Sequence, residues 1–262
     1  MKNVAAVVLA AGKGKRMKSD LPKVLQTMLG RPMIEYVLDT LISLEIKKIC
    51  VVIGYQVEMV IEALANYHDR IEFILQERQL GTGHAVLMAE DALKGFSGEI
   101  LVLAGDVPFL SSETITRLIE VHRREKAAAT VLSSIPTDPE NYGRIVRVPG
   151  TDIVDHIVEQ KDADDKEKKI GEINTGTFCF DSRYLFDSLR EIRDNNSQKE
   201  YYLTDIMQIL RRKGLKAAVY LTDNSDEALG VNSAEQKAYL EAKFAEKYGH
   251  GKTFGGPQTY KM

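Results

Sequence analysis

Residues 4–10 (VAAVVLA) form a short apolar run that stops at Ala11-Gly12-Lys13-Gly14, and this junction restricts the chain more than any other feature. A valine-rich run of that length reads as a buried parallel strand, and the loop leaving its carboxyl end is where α/β sheets hold ligands. Gly12 and Gly14 have no Cβ, so their backbone N–H groups can lie against phosphate oxygens, and Lys13, Lys15, Arg16, Lys18 and Lys23 add positive charge nearby. The whole chain carries a net charge of only −3. The cations are therefore a local feature, which excludes a general nucleic-acid surface and points to a small polyphosphate ligand. Two common phosphate motifs are absent: no G-x-x-x-x-G-K-[ST] occurs, and position 17, where a third dinucleotide-binding glycine would fall, is Met17.

With 262 residues, 44% of them hydrophobic, the chain can build one large α/β domain or two small ones. Cys50 and Cys179 sit in apolar stretches and are too few for a disulfide framework, so a reducing cytoplasm is the expected compartment. The N-terminal apolar run imitates a signal peptide, but it is followed at once by the basic cluster. No run approaches the roughly 18 apolar residues of a membrane span, so neither secretion nor membrane insertion is expected.

Taken in order, the chain alternates strand and helix patterns: helix 32–44, strand 48–53, helix 57–65, strand 71–76, helix 84–93, strand 99–105, helix 111–126 and strand 127–134. That rhythm predicts right-handed crossovers and a mainly parallel sheet flanked by helices. Residues 136–180 instead alternate short β runs with turns, as expected of antiparallel strands added beside that sheet. Helices at 182–193 and 200–212, a strand at 216–221 and a helix at 233–248 complete the pattern. A glycine-rich, flexible tail is expected at 250–262. Asp106 follows the strand at 99–105 directly, a placement suited to a hard cation such as Mg²⁺, although a turn carboxylate would look the same.

The motifs LAAGKGKRM and LPK resemble the signature of sugar-1-phosphate nucleotidyltransferases. Together with QLGTGHA, GDVP, YGRI, IVEQKDA, EINTG, EYYLTDI and GVN, they resemble more closely the uridylyltransferase half of the bifunctional N-acetylglucosamine-1-phosphate uridylyltransferase/glucosamine-1-phosphate acetyltransferase family. The resemblance implies a Rossmann-like nucleotidyltransferase fold, with a nucleotide-binding part at about 1–134 and 216–232 and an antiparallel sugar-binding part at about 135–215. It implies Arg16 and Lys23 as catalytic residues, and Leu9, Ala10, Ala11, Gly12, Gly14, Gln76, Gly81, Thr82, Ala104 and Gly105 around the nucleotide. The Gln76 carboxamide offers a donor and an acceptor side by side for the N3–H and a carbonyl of uracil. Gly143, Glu159, Asn174 and Thr204 would contact the sugar. Asp106 and Asn232 would hold Mg²⁺, with Asn232 readable equally as a helix N-cap. Ala104 departs from the tyrosine common at that position, and His84 reads as part of a helix start.

The implied reaction joins UTP and N-acetylglucosamine 1-phosphate into UDP-N-acetylglucosamine and pyrophosphate, with no nucleic acid or membrane as partner. The family's acetyltransferase half, which also builds its trimer, has no counterpart in this sequence, so that activity is not expected and the oligomeric state stays open. A sister activity on glucose 1-phosphate and a non-catalytic nucleotide-sugar sensor are the alternatives.

Overall fold

The computed structural model describes residues 1, 3–14 and 20–248. Lys15, Arg16 and Lys18, and the tail after 248, lie outside the described residues, so the expectations for Arg16 and for the tail find no test in the geometry.

Six of the seven strands in the main path of the large sheet run parallel. Across that path they lie in the order β11 (Ala217–Leu221), β7 (Ala129–Ser134), β10 (Ile173–Asp181), β6 (Glu99–Ala104), β1 (Val4–Leu9), β4 (Lys48–Ile53) and β5 (Glu72–Leu75). The exception is β10, which pairs antiparallel with both β6 and β7. Residues 173–181 therefore lie inside the main sheet, where the sequence reading had placed them beside it. Their all-apolar end, Phe178 to Phe180, is buried on both faces, a property of a central strand. The added antiparallel part is the pair β8 (Arg144–Arg147) and β9 (Val154–Val158), joined to the sheet through β8 and β10.

Strand β1 explains the two-sided core. Ala5 and Val7 pack with helices α3 (Thr82–Met88), α5 (Ser182–Leu189) and α6 (Asp205–Arg212). Val4, Ala6 and Val8 face the other way, toward α1 (Met33–Ser43), α2 (Val57–Ala63) and α4 (Ser112–Glu125). The two-residue period of a strand sends alternate side chains to opposite layers, and since both layers are apolar the run has no polar member.

Helix α4 follows its sequence signals, with the Ser111 hydroxyl accepting from Thr114 N at 3.2 Å and Lys126 closing it in the left-handed region. Helix α6 starts later than expected because the non-helical segment before it is held against the start of α3: Tyr201 N donates to Leu80 O (2.8 Å) and Tyr201 O accepts from Gly83 N (2.8 Å). A small hairpin, β2 (Thr27–Met28) and β3 (Arg31–Pro32), precedes α1 and was not anticipated. It packs under α7 (Ala234–Tyr248), where Phe109 lies between Phe244 (centroids 4.4 Å), Tyr248 (5.1 Å) and Tyr36 (5.4 Å).

Candidate functional site

Strands β1 and β6 are neighbours, yet the chain leaves β1 toward β4 on one side and returns to β6 on the other. Crossovers that diverge in this way leave a crevice outside the carboxyl ends of the strands. The start of antiparallel β10 lies at that same edge, as do the segments after β5 and β11.

At the centre of the edge, the Lys23 ammonium makes an ion pair with the Asp106 carboxylate and donates to Asn232 Oδ1 at 2.8 Å. The three residues are 83 and 209 positions apart in pairs with Lys23, and backbone hydrogen bonds hold them. Gly105 N donates to Leu9 O (3.0 Å) and Val231 N to Asp106 O (3.0 Å), so the segments after β1, β6 and β11 are laced together. Gly14 has φ +68°, and a Cβ there would stand 2.6 Å from Lys23 Cβ, so glycine lets the lysine stem pass against the loop. Asn232 is not the helix cap. Ser233 accepts from Gln236 N (3.2 Å) while Gln236 Oε1 accepts from Asn232 N (2.8 Å), an arrangement close to a capping box. The Asn232 side chain accepts from Lys23 through Oδ1 and donates from Nδ2 to Gly230 O at 3.2 Å. Lys13, by contrast, is exposed with its ammonium 5.2 Å from the centre of the Tyr55 ring.

A second cluster lies at the ends of β1, β4 and β5. Ala10 N donates to Val52 O (2.8 Å) and Tyr55 N to Ala11 O (3.2 Å), which continues the sheet into the loop, whereas Gly12 is exposed. Gln76, 2% exposed, donates from Nε2 to Gly81 O (3.2 Å) and lies 2.9 Å from His84 Nδ1. Thr82 does not cap α3; its hydroxyl accepts from Leu203 N at 3.0 Å, tying this cluster to the segment before α6. Gly81 has φ +116°, and a Cβ there would meet Tyr201 O at 2.7 Å. We expect Gly81→Ala to lower stability by about 2 kcal/mol or more and to weaken nucleotide binding, because both the backbone angle and the backbone contact oppose a side chain. Denaturant midpoints and nucleotide titrations check this; a variant as stable as the parent contradicts it.

The third cluster gathers all four expected sugar residues. Asn174 N donates to Gly143 O (2.9 Å), and the Asn174 side chain accepts from Gly176 N (2.9 Å) at a bulge in β10. A Cβ on Gly143 would stand 3.5 Å from Glu159 Oε1, and the Thr204 hydroxyl donates to the same oxygen at 3.1 Å. A Cβ on Gly176 would come within 3.6 Å of Ala104 Cβ, which joins this cluster to the end of β6. A cavity of about 200 Å³ opens beside Glu159 and Thr204, also lined by Asp162, Tyr202 and Asp205.

Burial, opposed by the Thr204 hydrogen bond and reinforced by Asp205, Asp162 and Glu200, pushes the Glu159 carboxyl above its ordinary range. Burial beside Asp162 likewise raises Asp205 to about 6. A carboxyl raised in the folded state contributes stability below its unfolded pKa, and that contribution is lost as pH rises through the folded value. Glu159→Gln is therefore expected to raise the unfolding midpoint at pH 7 and to give no gain near pH 4, where the parent carboxyl is already protonated. Thermal scans at the two pH values check the sign, and a larger gain at pH 4 contradicts it.

Two residues of the site escaped the sequence reading. Gly54 lies where a Cβ would meet Gln76 O at 2.8 Å and Ala11 Cβ at 3.1 Å, and its position just past the buried strand β4 was the available signal. Tyr142 donates its hydroxyl to Gly230 O at 3.1 Å, bridging the third cluster and the Asn232 segment; it opens the YGRI motif, but the sequence reading assigned it no role of its own.

Comparison with known proteins shows the family and the fold. The nucleotidyl transferase family model matches residues 5–234. The bifunctional protein GlmU of Halalkalibacterium halodurans is 47% identical over 266 aligned positions, covering 99% of this chain and 58% of that protein. The GlmU protein of Enterococcus faecalis is 47% identical over 232 positions, covering 88% and 50% respectively. The chain thus spans about half the length of the curated relatives it matches. Among solved structures, a Bacillus anthracis protein assigned as a glucose-1-phosphate thymidylyltransferase and crystallised with sucrose superposes with a TM-score of 0.75 at 21% identity, over 96% of this chain and 97% of that one, a likeness of fold. A family model that covers residues 5–234 and relatives at 47% identity leave one conclusion: the chain belongs to the nucleotidyl transferase family.

Proposed function

We propose that the chain transfers a uridylyl group from UTP to N-acetylglucosamine 1-phosphate, giving UDP-N-acetylglucosamine and pyrophosphate. The observation that carries this reading is the convergence of Lys23, Asp106 and Asn232 at the divergence point of β1 and β6, with the base and sugar clusters on either side. The 47% identity to GlmU proteins supports the choice of substrates.

A carboxylate oxygen and an amide oxygen already converge on one cationic group, the Lys23 ammonium. Two hard oxygens so placed suit Mg²⁺, which takes one or two protein oxygens and completes its shell with water and phosphate. Asp106 and Asn232 would hold the ion. When bound it supplies charge neutralisation on the nucleotide phosphates.

The remaining tasks belong to the chain. The sugar phosphate oxygen attacks the α-phosphorus as the bond to pyrophosphate breaks, so no covalent enzyme intermediate is needed. The protein holds two polyanions in line and balances charge on the transferred and leaving groups. Lys23 would grip phosphate as a point charge, and Arg16 would follow the triphosphate from the glycine loop. Gln76 would read the base and Glu159 accept from sugar hydroxyls. We expect Gln76→Ala to raise KM for UTP about tenfold or more while leaving KM for the sugar phosphate within about twofold. Equal effects on both substrates would remove Gln76 from the base site.

Pyrophosphate release measured with N-acetylglucosamine 1-phosphate and glucose 1-phosphate, each against UTP, dTTP and CTP, tests the assignment. UTP with N-acetylglucosamine 1-phosphate is expected to give the highest kcat/KM. A preference for glucose 1-phosphate would move the assignment to the sister activity, and binding without turnover would make the chain a sensor.

A further inference from the structure

We propose that His84 is a positioning residue for the Gln76 carboxamide and thereby sets the preference for a pyrimidine that carries N3–H. The inference rests on the reading of Gln76 as the residue that meets the base.

The orientation of the Gln76 amide follows from its neighbours. The Gly81 carbonyl can only accept, so the group 3.2 Å from it is the amide nitrogen, and that same nitrogen stands 2.9 Å from His84 Nδ1. His84 Nδ1 must then act as the acceptor, with the ring proton on Nε2. Burial and the Arg78 guanidinium hold the imidazole below its ordinary pKa, consistent with a neutral ring. Both N–H bonds of the amide are thus engaged, while Oε1 has no hydrogen-bond partner among the described residues.

An amide locked in this way presents an acceptor alone, where the sequence had suggested a donor and an acceptor side by side, because both N–H bonds are spent inside the protein. Uracil offers N3–H to it, whereas cytosine has a lone pair at N3 and would set acceptor against acceptor. Discrimination built on an unpaired or opposed polar group is steep, because the penalty falls on the wrong ligand. Without His84 one amide N–H loses its partner, and the carboxamide is held at Gly81 alone. A rotated amide could then offer N–H to cytosine. Helix geometry does not require a histidine at this position: α3 starts at Thr82, and the third position of its first turn accepts many other residues.

The test is equilibrium binding of UTP and CTP by calorimetry, which does not depend on turnover, together with thermal midpoints. The variants are Gln76→Ala, His84→Leu, His84→Ala and His84→Asn. Asparagine carries an acceptor, Oδ1, as many bonds from Cα as histidine Nδ1. We expect His84→Leu to cut the ratio of CTP to UTP dissociation constants by about tenfold, Gln76→Ala to cut it at least as far, and His84→Asn to restore most of it. His84→Ala takes the place of leucine if that variant does not fold. A His84→Leu protein that binds both nucleotides more weakly in equal measure has only lost packing, and this outcome overturns the proposal. A Gln76→Ala protein that keeps the full ratio overturns the reading of the base site itself, and with it the role of His84. Loss of the ratio in Gln76→Ala but in none of the His84 variants leaves the base reading standing and sinks the positioning role alone.

Discussion

Asp106→Ala is expected to lower kcat by about a hundredfold or more while leaving the fold intact. The carboxylate stands just past the end of β6, about four-fifths covered, and its side chain reaches Lys23 rather than the apolar layers. Its loss removes one of the two oxygens that would hold Mg²⁺ and also releases the Lys23 ammonium from its partner. Steady-state rates across a Mg²⁺ titration, with circular dichroism as the control for folding, measure this. Turnover near that of the parent at limiting Mg²⁺ would take Asp106 out of the site. Asn232→Ala is the companion case: since Ser233 rather than Asn232 caps α7, the helix is expected to persist while the Mg²⁺ concentration for half-maximal rate rises.

Lys23→Ala is expected to lower kcat and kcat/KM together, again by about a hundredfold. A charge that acts on the developing negative charge of the transition state is lost from both constants, whereas uniform substrate binding is lost from KM alone. Arg16→Ala is expected to behave in the same way. Lys13→Ala provides the contrast within the same loop, because its ammonium is exposed and lies over the Tyr55 ring, away from Asp106 and Asn232. Its kcat is expected to stay within about threefold of the parent, as for a surface lysine. A Lys13→Ala defect as large as that of Lys23→Ala would mean that the loop gathers anions by diffuse charge, and the specific role of Lys23 would fall.

The parallel strands were legible as short apolar runs, with β1, β4 and β6 closed by glycine within three residues, and β4 came out at its expected bounds, Lys48–Ile53. The loop after β1 and the position of Asp106 followed from the same logic, since a ligand edge is implied once a parallel sheet is. Other features depend on partners far away in the chain. The place of β10 between β6 and β7 is decided by which strands its two apolar faces meet, and no local pattern states that. The late start of α6 depends on Tyr201 and Leu203 finding Leu80, Gly83 and Thr82. Asn232 could not be told from a helix cap by letters alone, because Asn232 and Ser233 are both good caps and only the hydrogen bonds from Gln236 separate them. His84 was passed over for a similar reason: a histidine at a helix start needs no special explanation until its ring is seen against Gln76.

The central claim is tested most directly by incubating the chain with UTP, N-acetylglucosamine 1-phosphate and Mg²⁺ and following the phosphorus resonances of all species at once. The account predicts that UTP and the sugar phosphate disappear together, that UDP-N-acetylglucosamine and pyrophosphate appear in a one-to-one ratio, and that a chelator stops the conversion. Release of orthophosphate in place of pyrophosphate, or consumption of UTP without the sugar phosphate, would contradict it.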